Sequence, residues 1–198
     1  MIRPATEKDI PEILAIYAPY VEHSTATFEY DVPCLRSFTQ RFLDITAQYP
    51  WLVWEEEGKL LGYAYASAPY SRAAFSWCAE PSIYLRPEAR GRAIGRQLYT
   101  VLEEILARQG YQVLYALITS ENTESVIFHQ KMGYERKVLF SDCGFKFNRW
   151  LGLIWMEKRI KIVHSPSELP KPWQIIVQDA KSFGHILDNL SLSYLKEI

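Results

Sequence analysis

The hydrophobic positions of the chain switch between a period of two and a period near 3.6, and each switch predicts a new element. Apolar alternation or continuous apolar runs predict strands over residues 2–5, 51–54, 60–66, 75–85, 113–118, 134–145 and 150–158. Helical spacing predicts helices over residues 10–21, 35–47, 91–109 and 123–132. Thr6 and Asp9 have the spacing of a capping box before the first helix, and Glu57-Gly58 is typical of a hairpin turn.

The order of these elements predicts how the strands pair. The strand over 75–85, the helix over 91–109 and the strand over 113–118 form a βαβ unit, so these two strands should be parallel with a right-handed crossover. The earlier strands are joined tightly and should pair antiparallel. We therefore expect an α/β fold whose central sheet is mixed, mostly antiparallel, with one parallel βαβ pair and flanking helices.

The character of the chain changes after residue 160. Pro166, Pro170 and Pro172 are typical of a linker, because proline lacks the N–H that helices and sheets need. Apolar residues then return at helical spacing and predict an amphipathic helix from Ala180 to Lys196. We expect one domain over residues 1–160 and a C-terminal extension over 161–198, which covers either its own sheet or that of a second copy.

Composition narrows the class of protein. The chain of 198 residues has a formal net charge of −1, so its bulk charge does not suggest nucleic acid as a partner. It has no run of about 20 apolar residues, as a membrane span requires. Cys34, Cys78 and Cys143 are too few and too widely spaced for a disulfide framework or a zinc site. We expect a cytoplasmic, soluble protein without a metal, a nucleic-acid partner or a membrane partner.

The most informative stretch follows the strand that ends near Leu85. A loop with Arg90 and Gly95 leads into a helix, and free N–H groups at the start of a helix bind phosphate. Arginine side chains add paired hydrogen bonds to phosphate oxygens. The chain has neither the Gly-x-Gly-x-x-Gly of a dinucleotide fold nor the Gly-Lys-Ser/Thr of a P-loop.

Two motifs of the chain are informative together, namely Arg90-x-x-Ala93-x-Gly95 and, about thirty residues later, Asn122-x-x-Ser125-x-x-Phe128-His129-x-x-x-Gly133-Tyr134. They resemble motif A and motif B of the GNAT superfamily of N-acetyltransferases. The resemblance implies acetyl-CoA as cofactor, with the diphosphate on the Arg/Gly loop. The residues it assigns to the cofactor are Ile83, Tyr84, Leu85, Arg90, Gly91, Arg92, Ala93, Ile94, Gly95, Arg96, Asn122 and Ser125. Ala93 stands where the superfamily usually has glycine, which costs roughly 1 kcal/mol if that residue needs φ > 0.

Further segments carry a closer resemblance, namely residues 24–28, 62–66, Arg72, Glu80, Ser125-x-x-x-His129 and 144–150. Within the superfamily, these segments look like the phosphinothricin N-acetyltransferase-like family. This resemblance implies direct acetyl transfer to the α-amine of a small amino acid or analogue, such as phosphinothricin, methionine sulfoximine or methionine sulfone. It also implies a homodimer with the acceptor site near the interface. Two departures, Gln130 for an acidic residue and Gly152 for an aspartate, put the choice of acceptor in doubt.

Glu80 and His129 are the candidate catalytic residues. An amine is mostly protonated at neutral pH, so it must lose a proton before it attacks a thioester. Glu80 is the first candidate base, and its alternative is a strand-edge carboxylate paired with an arginine. His129 stands where many relatives carry a tyrosine that protonates the leaving thiolate; it is a base, an acid or a packing residue. Cys78 has no neighbouring histidine to activate it, which disfavours a covalent acetyl-enzyme.

Several residues are candidates for binding the acceptor. The candidates that the resemblance supports are Phe28, Tyr70, Ser71, Arg72 and Glu80. Phe28 is a wall of the acceptor pocket or a hydrophobic anchor for its loop. Lys146 and Trp150 line the pocket or a subunit contact, and for Trp150 we expect core packing. The alternatives are a GNAT enzyme for another amine, such as a polyamine or a protein N-terminus, and a non-catalytic acyl-CoA-binding domain.

Overall fold

The computed structural model describes residues 1–161, 168–178 and 180–194, so Pro166 and Lys196 of the predicted extension lie outside the described residues. Its strands are β1 Ile2–Pro4, β2 Trp51–Glu56, β3 Lys59–Ser67, β4 Cys78–Leu85, β5 Val113–Thr119, β6 Glu135–Lys146 and β7 Arg149–Arg159. Its helices are α1 Ile10–His23, α2 Leu35–Thr46, α3 Ile94–Gln109, α4 Thr123–Lys131, α5 Trp173–Ile176 and α6 Ala180–Tyr194.

The strands form one sheet in the order β1-β2-β3-β4-β5-β7-β6. Every neighbouring pair is antiparallel except β4 and β5, which confirms the mixed sheet with one parallel pair. That parallel pairing is short, because it joins only Cys78 to Val113 and Ala79 to Leu114. Beyond these pairs the two strands separate, and Pro81 lacks the N–H that a longer ladder would use. The sheet is therefore split at its centre.

Local signals in the sequence account for most element boundaries. The backbone N–H of Thr6 donates to Asp9 Oδ2 at 2.7 Å, as the capping box predicts. Two predicted boundaries are wrong. The strand predicted from residue 75 begins at Cys78, because Ala73–Phe75 is a 3-10 turn in which the N–H of Phe75 donates to Arg72 O. The helix predicted from residue 91 begins at Ile94, because Ala93 has a φ of 60°, outside the helical range.

Two hydrophobic clusters lie on opposite faces of the sheet. The side chain of Leu52 packs in the cluster that contains α3, whereas Trp51 and Val53 pack in the cluster that contains α1 and α2. This alternation follows from the period of two along a strand. The predicted core position of Trp150 is wrong, since this side chain is 61% exposed and contacts Phe145. Both residues lie in the β6–β7 hairpin at the edge of the sheet.

The described part of the extension packs on its own chain. Phe183 and Ile186 of α6 belong to the cluster of α3. Trp173 Nε1 donates to the carbonyl of Thr46 at 2.9 Å, and the N–H of Lys171 donates to the carbonyl of Gln109 at 2.9 Å. Among the described helices, none is long and apolar enough to cross a membrane.

Candidate active site

The split between β4 and β5 opens a small cavity of about 70 Å³. Residues 80–84 of β4 and 116–118 of β5 form its two walls, and residues of α4 close it. A split sheet leaves backbone groups and side chains of both strands facing the same space, since neither strand pairs with the other there. This cavity therefore brings together residues that are distant in the sequence. Its polar lining residues are Glu80, Ser82, Tyr84, Tyr99, Asn122, Ser125 and His129.

Glu80 is half-buried at the wall of this cavity. Burial raises the pKa of its carboxyl group above the usual value, because the charged form loses water. In the part of the chain that the structure describes, no ion pair or hydrogen bond of its side chain offsets this cost. Within one chain, the described residues therefore do not give Glu80 the arginine partner that the alternative interpretation requires. A raised pKa suits a group that must accept a proton.

His129 is only 4% exposed, and both of its ring nitrogens are engaged. Nδ1 donates to the carbonyl of Ser125 at 2.7 Å, and Nε2 lies 2.9 Å from the hydroxyl of Tyr99. Burial lowers the pKa of His129 to about 4, so the ring is neutral at physiological pH. The sequence reasoning missed Tyr99, because its position on the apolar face of α3 is also that of an ordinary core residue.

The Arg/Gly loop borders a second and larger space, a cleft of about 530 Å³. Of the residues predicted to bind the cofactor, the lining includes Ile83, Leu85, Arg90, Gly91, Ala93, Ile94, Gly95, Arg96, Asn122 and Ser125. Ala93 adopts the left-handed conformation, so the strained position that the sequence suggested is real. At Gly95 an added Cβ would lie 3.3 Å from the side chains of Ile83 and Leu85. The close approach of α3 to β4 at the head of the cleft therefore favours glycine.

Two predicted cofactor residues point elsewhere. Arg92 donates to Glu56 at 2.8 and 2.9 Å and does not line the cleft. Tyr84 turns its ring toward Tyr17, with the ring centroids 4.9 Å apart. Tyr84 points away from the cleft because side chains alternate along β4, which puts Tyr84 on the face opposite to its chain neighbours. Six lining residues were not predicted, namely Tyr20, Ala26, Ala89, Glu124, Phe128 and Lys131.

The cavity and the cleft adjoin. Ala26, Ile83, Asn122 and Ser125 line both spaces. Asn122 also caps α4, because its Oδ1 accepts a hydrogen bond from the N–H of Ser125 at 3.2 Å. A molecule that fills the cleft along β4 can therefore present one end to Glu80 in the cavity.

The loop over residues 24–28 is held from behind by β6. The ammonium group of Lys146, whose residue is 2% exposed, donates to the carbonyls of Ser24 and Thr27 at 2.9 and 2.8 Å. The ring of Phe28 lies against Gly144, where an added Cβ would be 2.6 Å from it. Phe28 does not line the cavity, so its contacts match the hydrophobic anchor rather than the pocket wall. Lys146 and Phe28 fix the loop that carries Ala26.

The other candidate acceptor residues lie outside the cavity. Tyr70, Ser71 and Arg72 are exposed, and the ring of Tyr70 contacts the ring of Phe75 at a tilt of 36°, with the centroids 4.3 Å apart. Burial raises the pKa of the Cys78 thiol, which lowers its nucleophilicity at neutral pH.

The two departures from the family pattern, Gln130 and Gly152, lie on α4 and β7. Gln130 is exposed on α4. At Gly152 an added Cβ would lie 3.0 Å from Ser120 Oγ and 3.2 Å from the carbonyl of Phe140. The backbone around Gly152 therefore leaves little room for a carboxylate side chain.

The mixed sheet splits beside a loop suited to binding phosphate, and a carboxylate lies in the split. This combination defines an acyl-CoA-dependent acyltransferase. The profile of the acetyltransferase (GNAT) domain matches residues 2–155, and the chain belongs to this family. It is an N-acetyltransferase whose co-substrate is acetyl-CoA.

Similarity to individual known proteins supports this assignment. The chain is 35% identical over 161 residues to a phosphinothricin N-acetyltransferase of Alcaligenes faecalis, covering 79% of this chain and 81% of that protein. It is 36% identical over 159 residues to an L-methionine sulfoximine/L-methionine sulfone acetyltransferase of Pseudomonas paraeruginosa, covering 79% and 92%. A phosphinothricin acetyltransferase of Sinorhizobium meliloti, solved with acetyl-CoA, superimposes with a TM-score of 0.79 at 34% identity, covering 86% of this chain and 92% of its own.

Proposed function

We propose that this enzyme transfers the acetyl group directly to the α-amine of a small amino acid or analogue of the phosphinothricin, methionine sulfoximine or methionine sulfone type. The observation that carries the proposal is Glu80, a carboxylate without a cationic partner among the described residues, at the wall of a cavity that adjoins the cleft. The relatives named for these acceptors support the choice of substrate class.

The residues divide the chemistry between them. The cleft residues Arg90, Arg96 and the amides at the start of α3 would hold the diphosphate of acetyl-CoA, which supplies an activated thioester when bound. Glu80 takes the proton of the acceptor amine, because burial raises its pKa toward that of a useful base. A backbone N–H near Ile83 stabilises the oxyanion. The N–H of Leu85 is less suited, since it donates to the hydroxyl of Tyr20 at 3.2 Å.

We also propose that the enzyme works as a homodimer. The β6–β7 hairpin exposes large apolar side chains, and exposed apolar patches of this kind mark interaction surfaces. They are Val138, Leu139, Phe140, Phe145, Phe147 and Trp150. The cavity has no arginine or lysine among its described lining residues, although an amino-acid acceptor carries a carboxylate. A second copy that brings the exposed Arg72 to this cavity would supply the missing charge.

A thiol-release assay tests the acceptor class. The enzyme is given acetyl-CoA with phosphinothricin, methionine sulfone, spermidine or a peptide with a free N-terminus, at several pH values. Saturable turnover of the amino-acid analogues supports the proposal. Faster turnover of spermidine or the peptide overturns the acceptor class, and tight acetyl-CoA binding with no turnover on any amine overturns the enzymatic role.

Sedimentation velocity tests the dimer. The native chain should sediment as a dimer, and Trp150→Glu should shift it toward the monomer. Arg72→Ala should raise the KM for methionine sulfone and leave the KM for acetyl-CoA unchanged. A monomeric native enzyme with full activity contradicts the proposal.

We propose that residues 1–160 carry the activity and that the extension stabilises them from behind. Its described residues contact α3 and the end of α2, away from the cavity. A chain that ends at Lys161 should unfold at a lower temperature and keep its dimeric state. Loss of the dimer on truncation would instead make the extension part of the interface.

A further inference from the structure

Tyr20, in the last turn of α1, binds the main chain of β4 inside the cofactor cleft. Its hydroxyl donates to the carbonyl of Leu85 and accepts a hydrogen bond from the N–H of the same residue, with that nitrogen 3.2 Å from the oxygen. The guanidinium of Arg90 lies 3.4 Å from this hydroxyl and stands over the ring, 6.0 Å from its centroid. One side chain therefore connects the end of β4 with the Arg/Gly loop.

The main-chain groups of Leu85 face the cleft. The N–H of Arg86 donates to the carbonyl of Leu61 on β3 at 2.8 Å, so the main chain of the preceding residue, Leu85, points away from β3. On that other side, the described pairs between β4 and β5 stop after the first two residues of β4. An unpaired strand edge binds an extended partner through the amides of that partner. Tyr20 occupies this edge at Leu85.

The hydroxyl of Tyr20 uses its full bonding capacity in this position. A phenol has one hydrogen to donate and two lone pairs that accept. The hydrogen goes to the carbonyl of Leu85, and the N–H of Leu85 and the guanidinium of Arg90 approach the oxygen. An amide of a ligand along this edge would need the same N–H, which has a single hydrogen. The phenol and such an amide therefore compete for Leu85.

The side chain of Tyr20 has space to move into. A side pocket of about 250 Å³ lies between α1 and the end of β4, and Tyr20, Leu85 and Arg90 line both this pocket and the cleft. Pro19 also lines the side pocket, and it lacks the N–H that would bond the preceding turn of α1. Rotation of the Tyr20 side chain into the side pocket would therefore expose Leu85 without unfolding of the helix.

We propose that Tyr20 is a displaceable latch on the cofactor cleft. Its hydroxyl holds the N–H and the carbonyl of Leu85 in the free enzyme and gives them up to an amide of the pantetheine arm when acetyl-CoA binds. The latch lowers the affinity for acetyl-CoA and for the product CoA alike, so it favours release of CoA after the transfer. This inference concerns the cofactor and holds for any acceptor amine.

Tyr20→Phe tests the latch, because it removes the hydroxyl and keeps the ring. By calorimetry we expect the Kd for acetyl-CoA to fall about fivefold, which is the order of one net hydrogen bond. ADP carries a diphosphate without the arm, so its Kd should stay within twofold. Unchanged or weaker binding of acetyl-CoA overturns the inference. An equal gain for ADP also overturns it, because the effect would then lie at the nucleotide end.

Tyr17→Phe is the matched control on the same helix. Tyr17 lies one turn earlier than Tyr20, and both rings contact the ring of Tyr84 edge-on, with the centroids 4.9 and 5.1 Å away. The hydroxyl of Tyr17, however, bonds the side chain of Thr27 at 2.9 Å. This variant should not tighten the binding of acetyl-CoA. A gain equal to that of Tyr20→Phe would contradict the latch, because loosening of α1 would then explain both.

The amide resonance of Leu85 in an NMR spectrum reads the latch without any acceptor. In the free enzymes this resonance should differ between the native chain and Tyr20→Phe, because the N–H loses its partner. Saturating acetyl-CoA should remove the difference, and saturating ADP should leave it. A difference that persists with acetyl-CoA overturns the inference, since Tyr20 would then keep its hold on Leu85. Absence of turnover on every amine would instead contradict the proposed function alone.

Discussion

The cleft and the cavity lie side by side in one split sheet, yet they are built in different ways. The cleft takes much of its lining from one contiguous stretch, residues 89–96, and presents backbone amides and arginines at the start of α3. The cavity takes its polar side chains from β4, α3, α4 and the turn before α4. The cleft is large and built mostly from residues that are close in the sequence, whereas the cavity is small and built from residues that are far apart in the sequence.

The difference teaches which property each region depends on. A site made of backbone amides depends on local chain conformation, such as the left-handed Ala93. A site made of buried titratable groups depends on what packs around them, because burial sets the pKa of Glu80 and of His129. Substitutions should therefore separate binding of the cofactor from chemistry on the acceptor.

Glu80→Gln should impair the chemistry in the cavity and leave cofactor binding in the cleft unchanged. We expect kcat to fall by about 10³-fold, the typical range for loss of a general base, with unchanged acetyl-CoA affinity by calorimetry. Since burial raises the pKa of Glu80, activity of the native enzyme should fall as the pH drops through that raised value, and this dependence should vanish in the variant. Glu88→Gln is the control, because Glu88 is exposed and pairs with Lys59 at 2.8 Å. Unchanged turnover would remove Glu80 from the mechanism.

The neutral state of His129 should make the cavity sensitive to acid. The folded pKa of about 4 lies below the unfolded value of 6.5, so stability is present above 6.5 and is lost as the pH falls toward 4. Urea unfolding should show a loss of about 3 kcal/mol between pH 7.5 and pH 4 from this group. The loss should be smaller by that amount in His129→Gln and unchanged in His23→Gln, whose side chain is exposed. Equal acid sensitivity of both variants would contradict the buried neutral imidazole.

Lys146→Met should affect both regions, since Lys146 holds the loop of Ala26, which borders both. Two carbonyls lose their charged donor, and we expect unfolding in urea to need about 2 kcal/mol less. The KM values for acceptor and acetyl-CoA should both rise, by about fivefold or roughly 1 kcal/mol. Lys137→Met is the control, because Lys137 is exposed and its described ion pair is with Glu135. An effect on one KM alone would show that the loop belongs to one region.

Ala93→Gly should give the smallest change and touch only the cleft. Relief of the left-handed alanine outweighs the added freedom of the unfolded chain, so stability should rise by about 0.5 kcal/mol. Ala107→Gly within α3 is the opposite control and should cost about 1 kcal/mol. Thermal unfolding of both variants measures the difference. A less stable Ala93→Gly would mean that the alanine is not strained.

Much of the fold was predictable, because its signals are local. The hairpin turn at Glu57-Gly58 has φ values of 50° and 77°, and α3 stops at Gly110 with a φ of 107°, as expected from turn and cap chemistry. The start of β4 was mispredicted because an aromatic residue such as Phe75 has the same apolar signal in a turn as in a strand. Trp150 was mispredicted because the sequence does not say where the helical layers end.

Part of the candidate site was also beyond the sequence. Tyr99, Tyr20 and Lys131 carry no motif, and only the folded chain brings them to the cavity or the cleft. The ion pair that draws Arg92 to Glu56 joins the loop before α3 to the end of β2, which are distant in the sequence.

The sequence by itself determined the Arg/Gly loop, the cap at Asn122 and the strand–helix–strand order, since each depends on hydrogen bonds between near neighbours in the chain. Only the tertiary structure decided that β4 and β5 part after two residue pairs and that Glu80 meets Tyr99 and His129 in the gap. The physical reason is desolvation, which depends on atoms contributed from the whole length of the chain.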